Sequence, residues 1–391
     1  MRLNDRTDTD GIRWLATSNL GASATVRFGR SSADRCDRTN DRCTWKQPLT
    51  LRRAERQQRV KSDRSIFPKT GICVRPKSQH NDRAHRLTQS NRKLLTSAEE
   101  ADKVESQMEP SLYKGAALAG TINLGDLTVN RLGFGAMRLC GDSAWGRPRD
   151  RGNTHRILHR AVELGVNFID TADSYGPEVN ESLISQALYP YPPGLVIATK
   201  GGLVRSNRRS WVQDGRPEHL RCAVEGSLQR LRLERIDLYQ FHAPDPNVPF
   251  AESIGALADL QRIGKIRHIG ISNVTVAQLE LARRITTIVS VQNVYNLRNQ
   301  TSEDVLTACE RLGIAFLPWY PLGGKRGLRA LKVKQVATRH GVSHAALSLA
   351  WLLAKSPVML PIPGTQSIDH IEENVRAAAL RLAPEDLDDL R

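Results

Sequence analysis

Eight times between residues 132 and 378 a short apolar run is followed by a stretch with helical periodicity. This alternation limits the fold more than any other feature of the chain. The apolar runs are "LGFGAMRL", "NFID", "LVIAT", "IDLYQF", "IRHIGIS", "VSVQNVY", "IAFLPWY" and "VMLPIP". Between and after them lie "THRILHRAVELG", "NESLISQAL", "PEHLRCAVEGSLQRL", "FAESIGALADLQRIGK", "VAQLELARR", "SEDVLTACERLG", "HAALSLAWLLAKS" and "IDHIEENVRAA". Short runs of this kind suit buried parallel strands, and the longer stretches suit helices packed over them. Gly165, Gly264 and Gly313 stand where three helices should end, because glycine tolerates the left-handed conformation that closes a helix. Eight strand-then-helix units over roughly 260 residues predict an α/β chain, a (β/α)8 or TIM barrel. Ahead of it, "TINLGDLTVN" alternates apolar and polar about Gly125-Asp126, the signal of a β-hairpin. A doubly wound sheet is the competing fold. It is disfavoured because "GFGAMRLCG" puts Arg138 at the third glycine of a G-x-G-x-x-G motif.

The formal net charge of the 391-residue chain is +16, and it is unevenly spread. Residues 1–107 hold 23 Lys/Arg against 13 Asp/Glu, so the basic excess belongs mostly to the first quarter. That segment is polar, Arg-rich and without sustained periodicity, and it is expected to be disordered. A nucleic-acid-binding arm would use such cations, but acids are interspersed and no binding motif is present, so no nucleic-acid partner is expected. A transit peptide would be poor in acids, whereas Asp5, Asp8 and Asp10 fall in the first ten residues. The preferred reading is an over-extended open reading frame, with Met108 as the natural start and 108–391 as the barrel domain. No apolar run reaches the roughly 18 residues of a membrane span. Cys36, Cys43, Cys73, Cys140, Cys222 and Cys309 lack metal-ligand or disulfide-framework spacing. A cytoplasmic protein with reduced thiols and no metal is expected.

In a (β/α)8 barrel the chemistry sits at the carboxyl ends of the strands. Asp170 ends the second run, with Tyr175 just after it. Lys200 follows the third and His242 the fourth. One such residue alone is commonly a cap or a satisfied core group, but four at three successive strand ends should converge on one mouth. A free phenol, with a pKa near 10, is a weak proton donor at neutral pH. A nearby ammonium lowers that value, and a carboxylate keeps the ammonium charged and aimed. Tyr175 then reads as the proton donor, Lys200 as its tuner and Asp170 as the anchor of Lys200. His242 can hydrogen-bond a carbonyl oxygen or share in the proton transfer. The set holds no hydride source, so a carbonyl reductase built on it needs a cofactor.

"GVNFIDTADSYG", with Lys200 and His242 in the following runs, resembles the aldo-keto reductase superfamily from about Leu118 to the C-terminus. The texture of "ISNVTVAQLELAR", "VQNVYN" and "IPGTQSIDHIEEN" is similar to its bacterial pyridoxal reductase-like branch. The resemblance implies a nicotinamide cofactor at the barrel mouth, NADP(H), with NAD(H) as the alternative. It assigns the carboxamide to Ser272, Asn273 and Gln292, and ring stacking to Trp319. It assigns the pyrophosphate to Leu322 and Gly323, the adenosine phosphate region to Gly364, Thr365, Gln366 and His370, and adenine to Glu373 and Asn374. Gln366 stands where an arginine is common in NADPH-selective members, and Lys325 and Arg326 are candidate substitutes.

The implied activity is reduction of an aldehyde or ketone to an alcohol. One alternative is a cofactor-loaded, redox-sensing or regulatory subunit with little turnover; another is a Schiff-base lyase with Lys200 as nucleophile. The expected partner is a small carbonyl substrate, with no membrane, and the protein a monomer or small homo-oligomer. Trp145, Trp211 and, more weakly, Tyr191 are candidate substrate-pocket walls. His340 and His344 have the spacing of zinc ligands, but loop and N-cap positions explain them better.

Overall fold

The computed structural model describes residues 112–206, 210–324 and 331–390. The expectations for residues 1–107 and for a start at Met108 lie outside these residues, as do Lys325 and Arg326.

The strands are β1 (Thr121–Leu124), β2 (Leu127–Asn130), β3 (Phe134–Gly135), β4 (Phe168–Asp170), β5 (Val196–Gly201), β6 (Leu203–Arg205), β7 (Trp211–Gln213), β8 (Ile236–Phe241), β9 (Ile266–Ser272), β10 (Ile288–Val294) and β11 (Ala315–Trp319). The helices are α1 (Arg151–Glu163), α2 (Val179–Leu188), α3 (Pro217–Leu231), α4 (Phe250–Arg262), α5 (Val276–Ile285), α6 (Glu303–Leu312), α7 (Leu331–His340), α8 (His344–Lys355), α9 (Ile368–Arg376) and α10 (Pro384–Asp389). Seven strands form one parallel sheet in the order β3-β4-β5-β8-β9-β10-β11. The eighth apolar run, "VMLPIP", is the closing stave. Phe316 donates to Val358 O and accepts from Leu360, while Gly133 and Gly135 donate to Pro361 O and Pro363 O. Pro361 and Pro363 have no N–H to donate, so the segment closes the barrel without a regular ladder of its own. The predicted (β/α)8 barrel is therefore present.

The lumen is filled by Phe168, Val196, Ala198, Leu238, Val289, Ala315, Leu317, Leu360 and Ile362 together with Leu124 and Val129 of the hairpin. The β1–β2 hairpin thus plugs the amino-terminal end. Its turn is held there by Asp126, which pairs with Arg267 and His268 at the start of β9. Gly125 is required at this turn: φ is +65°, and an added Cβ would lie 2.2 Å from the His268 ring. The predicted glycine ends are also present, with left-handed φ at Gly165, Gly264 and Gly313.

Helices α7 and α10 and the β6–β7 hairpin are additions to the sequence reading. A signal for α7 was present in Val333, Val336 and Ala337, which recur at helical spacing and are buried. No helix among the described residues is long and apolar enough to cross a membrane. With the hairpin closing one end, the opposite mouth carries the carboxyl ends of the strands.

Candidate active site

Strand register assembles the polar centre. Asp170 pairs in register with Ala198, and Lys200 with Gln240 on β8. Lys200 Nζ donates to Asp170 Oδ2 at 2.7 Å, to Thr171 O at 2.8 Å and to Tyr175 Oη at 3.2 Å. An ammonium has three hydrogens, and all three are thereby directed. The other Asp170 oxygen accepts from Gln240 Nε2 at 3.0 Å and Gln292 Nε2 at 2.9 Å. Such saturation is what a buried ion pair needs to persist, since unpaired charge in the interior is costly. Burial pulls the Lys200 pKa down, but Asp170 and Tyr175 together outweigh it, and the net direction is upward. Lys200 is therefore a standing cation.

Lys200 acts on the Tyr175 phenol in the expected direction, downward, but does not set the net result. Burial pushes its pKa up, Lys200 opposes this and Asp170 adds to it, so the net direction is upward. Tyr175 is thus a protonated phenol at neutral pH, with the Lys200 ammonium 3.2 Å from its oxygen.

His242 is buried, its backbone N–H bonded to Gly201 O at 2.9 Å. Its ring meets Tyr175 edge-on at 5.8 Å, and its Nδ1 lies 3.4 Å from Ser174 Oγ. Burial and the neighbouring Lys200 charge hold its pKa well below the ordinary histidine value, so the ring is neutral. The four predicted catalytic residues therefore meet in one place.

A buried network supports this loop and was not foreseen. Glu181 accepts from Thr199 Oγ1 and Arg230 Nε, both at 2.6 Å. Asp173 is half-buried beside it with its Oδ1 atom enclosed, its carboxyl pushed well above the carboxylate range by desolvation and by Glu181. Asp173 also ties the loop by its backbone, donating to Lys200 O and accepting from Glu178. A signal for Glu181 existed: it shares a helix face with Ile184, Ser185 and Leu188, all buried. Among the described residues no group of three or more His, Cys, Asp or Glu is arranged to hold a metal. His340 instead bonds Asp386 at 2.7 Å.

The predicted cofactor residues fall into two groups. In the first, Ser272 Oγ donates to Gln292 O, and Asn273 Nδ2 donates to His242 O and Ser272 Oγ. Trp319 Nε1 donates to Asn273 Oδ1 at 2.9 Å, which fixes the half-buried indole at the rim. Asn273 adopts a left-handed φ of +58°, turning its amide back toward these partners. The second group lines a cleft of about 480 Å³: Leu322, Gly364, Thr365, His370, Glu373 and Asn374, joined by Val342, Ser343, His344 and Ala345. Ser343 caps the N-terminus of α8 and Ser367 that of α9.

Two predicted residues stand apart from the cleft lining. Gln366 turns its amide to Arg138 O at 2.6 Å and Cys140 O at 3.2 Å, so it fastens the loop after β3. Gly323, at φ +61°, closes a turn by donating to Tyr320 O. Tyr191 is likewise no pocket wall. Its hydroxyl bonds Leu231 O at 2.8 Å, and its ring packs with the core on the amino-terminal side of β5. Trp211 does reach the site, edge-on to Tyr175 at 6.2 Å and to His242 at 6.3 Å.

Comparison with known proteins gives the same frame. The profile of the aldo/keto reductase family matches residues 131–391. An uncharacterised oxidoreductase of Schizosaccharomyces pombe is 49% identical over 271 residues, which are 69% of this chain and 88% of that protein. Pyridoxine 4-dehydrogenase of Escherichia coli is 42% identical over 278 residues, 70% of this chain and 97% of that protein. An aldo/keto reductase from Klebsiella pneumoniae, crystallised with NADP and acetate, superposes with a TM-score of 0.60 at 25% identity, covering 69% of this chain and 93% of its own.

Proposed function

The chain belongs to the aldo/keto reductase family, and on that premise we propose that it reduces an aldehyde or ketone with NADP(H), Tyr175 giving the proton. One observation carries this reading: Lys200 spends its three hydrogens on Asp170, Thr171 and Tyr175 Oη. Tyr175 therefore accepts a bond from the ammonium and keeps its own O–H for the substrate oxygen.

The residues suit a nicotinamide dinucleotide. The cleft between α8 and α9 combines two helix N-termini, which favour phosphate charge, with buried Thr365 and Asn374. Glu373 and Asn374 would meet the base, and Trp319 with Asn273, Ser272 and Gln292 the nicotinamide end. When bound, the cofactor supplies hydride to the carbonyl carbon. Tyr175 protonates the oxygen as negative charge develops there, and Lys200 stabilises the phenolate that remains. Neutral His242 has one ring N–H with which to orient the carbonyl. NAD(H) is the alternative cofactor, because Gln366 supplies no cation and is engaged with the loop after β3.

A Schiff-base role for Lys200 is disfavoured, since a raised pKa and three directed hydrogens oppose the neutral amine such chemistry requires. The reading is tested by loss of NADPH absorbance with a panel of aldehydes that includes pyridoxal, chosen because one relative is a pyridoxine 4-dehydrogenase. Turnover of at least one aldehyde is expected. A protein that binds NADPH and reduces none would overturn it in favour of a binding subunit.

A further inference from the structure

The cleft of about 480 Å³ has two helix N-termini to favour phosphate, yet no Lys or Arg is among the described residues that line it. A cation stands at its edge. Arg138 follows β3, and its stem passes Gly364, one of the lining residues. A Cβ added at Gly364 would lie 3.9 Å from Arg138 Cγ and 2.3 Å from Gly135 O. Glycine at 364 therefore lets the loop after β3 close onto the cleft. Gln366 fastens that loop. Its amide donates to Arg138 O at 2.6 Å and to Cys140 O at 3.2 Å, while its own backbone carbonyl accepts from Asn153 Nδ2 at 2.8 Å. The backbone that carries Arg138 is thus pinned. Its side chain is exposed and has no hydrogen bond or ion pair among the described residues.

A guanidinium presents N–H groups in one plane, and two oxygens of a phosphate match them. Its apolar stem can lie along a wall while the charged head reaches beyond it. We propose that Arg138 receives the 2′-phosphate of NADP(H), with Gln366 as its positioning residue. The inference rests on the dinucleotide reading of the cleft and adds the residue that selects NADP(H) over NAD(H). Gln366 supplies no cation itself but holds the turn that does. The competing role is a solvated surface arginine that touches no ligand.

The test measures dissociation constants of NADP+ and NAD+ by titration calorimetry on the full chain. It compares wild type with Arg138→Met, which keeps an apolar stem beside Gly364, with Arg138→Lys, with Gln366→Leu, and with a Lys325→Met, Arg326→Met double variant. Arg138→Met should weaken NADP+ about tenfold or more and NAD+ less than about twofold. Retained NAD+ binding also shows that the variant is folded. Arg138→Lys should fall between. Gln366→Leu should shift NADP+ in the same direction by a smaller factor, and should add nothing once Arg138 is Met. If Arg138→Met does not fold, Arg138→Lys and Gln366→Leu carry the same comparison. Equal weakening of NADP+ and NAD+ would overturn the assignment, as would an unchanged NADP+ affinity or a loss confined to the Lys325 and Arg326 variant. If the predicted pattern is found but no aldehyde is reduced, the inference stands and the reductase reading fails. If aldehydes are reduced with NADPH while Arg138→Met moves both constants alike or neither, the inference fails and the reductase reading stands. Absence of binding of either dinucleotide to wild type refutes both.

Discussion

Lys200 is the residue on which the site turns, because three acceptors of different kinds meet its three hydrogens inside the barrel. On the proposed reading its charge is needed more after Tyr175 gives up its proton than before, and burial keeps the resting phenol protonated. The pH dependence follows from two signs. Tyr175 is raised above its ordinary value near 10 and stays protonated at neutral pH; His242 is lowered well below its ordinary value near 6.5 and stays neutral. The kcat/KM for reduction should therefore be flat from about pH 6.5 to 9, falling only at more alkaline pH as Tyr175 loses its proton. An inflection near pH 6.5 would mean that His242 titrates as an exposed imidazole does. Asp170, Tyr175, Lys200 and His242 were legible because each follows an apolar run at a strand's end. The donors that hold Asp170, Gln240 and Gln292, were not legible in that role, because strand register brings them together from 70 and 122 positions away.

Elements with their own periodicity were read correctly from sequence, and those that depend on their neighbours were not. The strands β4, β5 and β8 to β11 are short runs dominated by buried apolar residues, as in a parallel sheet covered on both faces. The β6–β7 hairpin is only three residues a side and lies outside the eight apolar runs. Helix α2 carries a fully buried acid, Glu181, which anchors the helix to β5 through Thr199 and to α3 through Arg230. Glu181→Ala would leave Arg230 and Thr199 without that partner. A loss of about 3–5 kcal/mol of unfolding free energy is expected, measured by chemical denaturation. A loss below about 1 kcal/mol would show that the network contributes little to holding the loop under Tyr175.

At the scale of the whole molecule, closure of the barrel decides whether the mouth exists. The segment that closes it contains two prolines and donates little, so other groups reinforce the seam. Arg131, just before β3, donates to Leu353 O, Ser356 O and Met359 O, tying the first strand to the end of α8 and the closing stave. Arg131→Met keeps the stem but removes a donor from three carbonyls, of which Ser356 O retains another, the Met359 N–H, and should cost roughly 2–4 kcal/mol in the same denaturation assay. An unchanged midpoint would remove Arg131 from the account of closure. The (β/α)8 count was legible because the eighth run is apolar even though prolines keep it from forming a regular strand. The claim that unites these scales is that Tyr175 donates the proton while Lys200 and Asp170 hold it in place. The most direct measurement is NADPH oxidation by wild type and Tyr175→Phe with an aldehyde that wild type reduces, NADPH affinity being measured alongside by fluorescence. The account predicts a fall in kcat on the order of a hundredfold to ten-thousandfold, with NADPH affinity essentially unchanged. Equal kcat in the two proteins would contradict it.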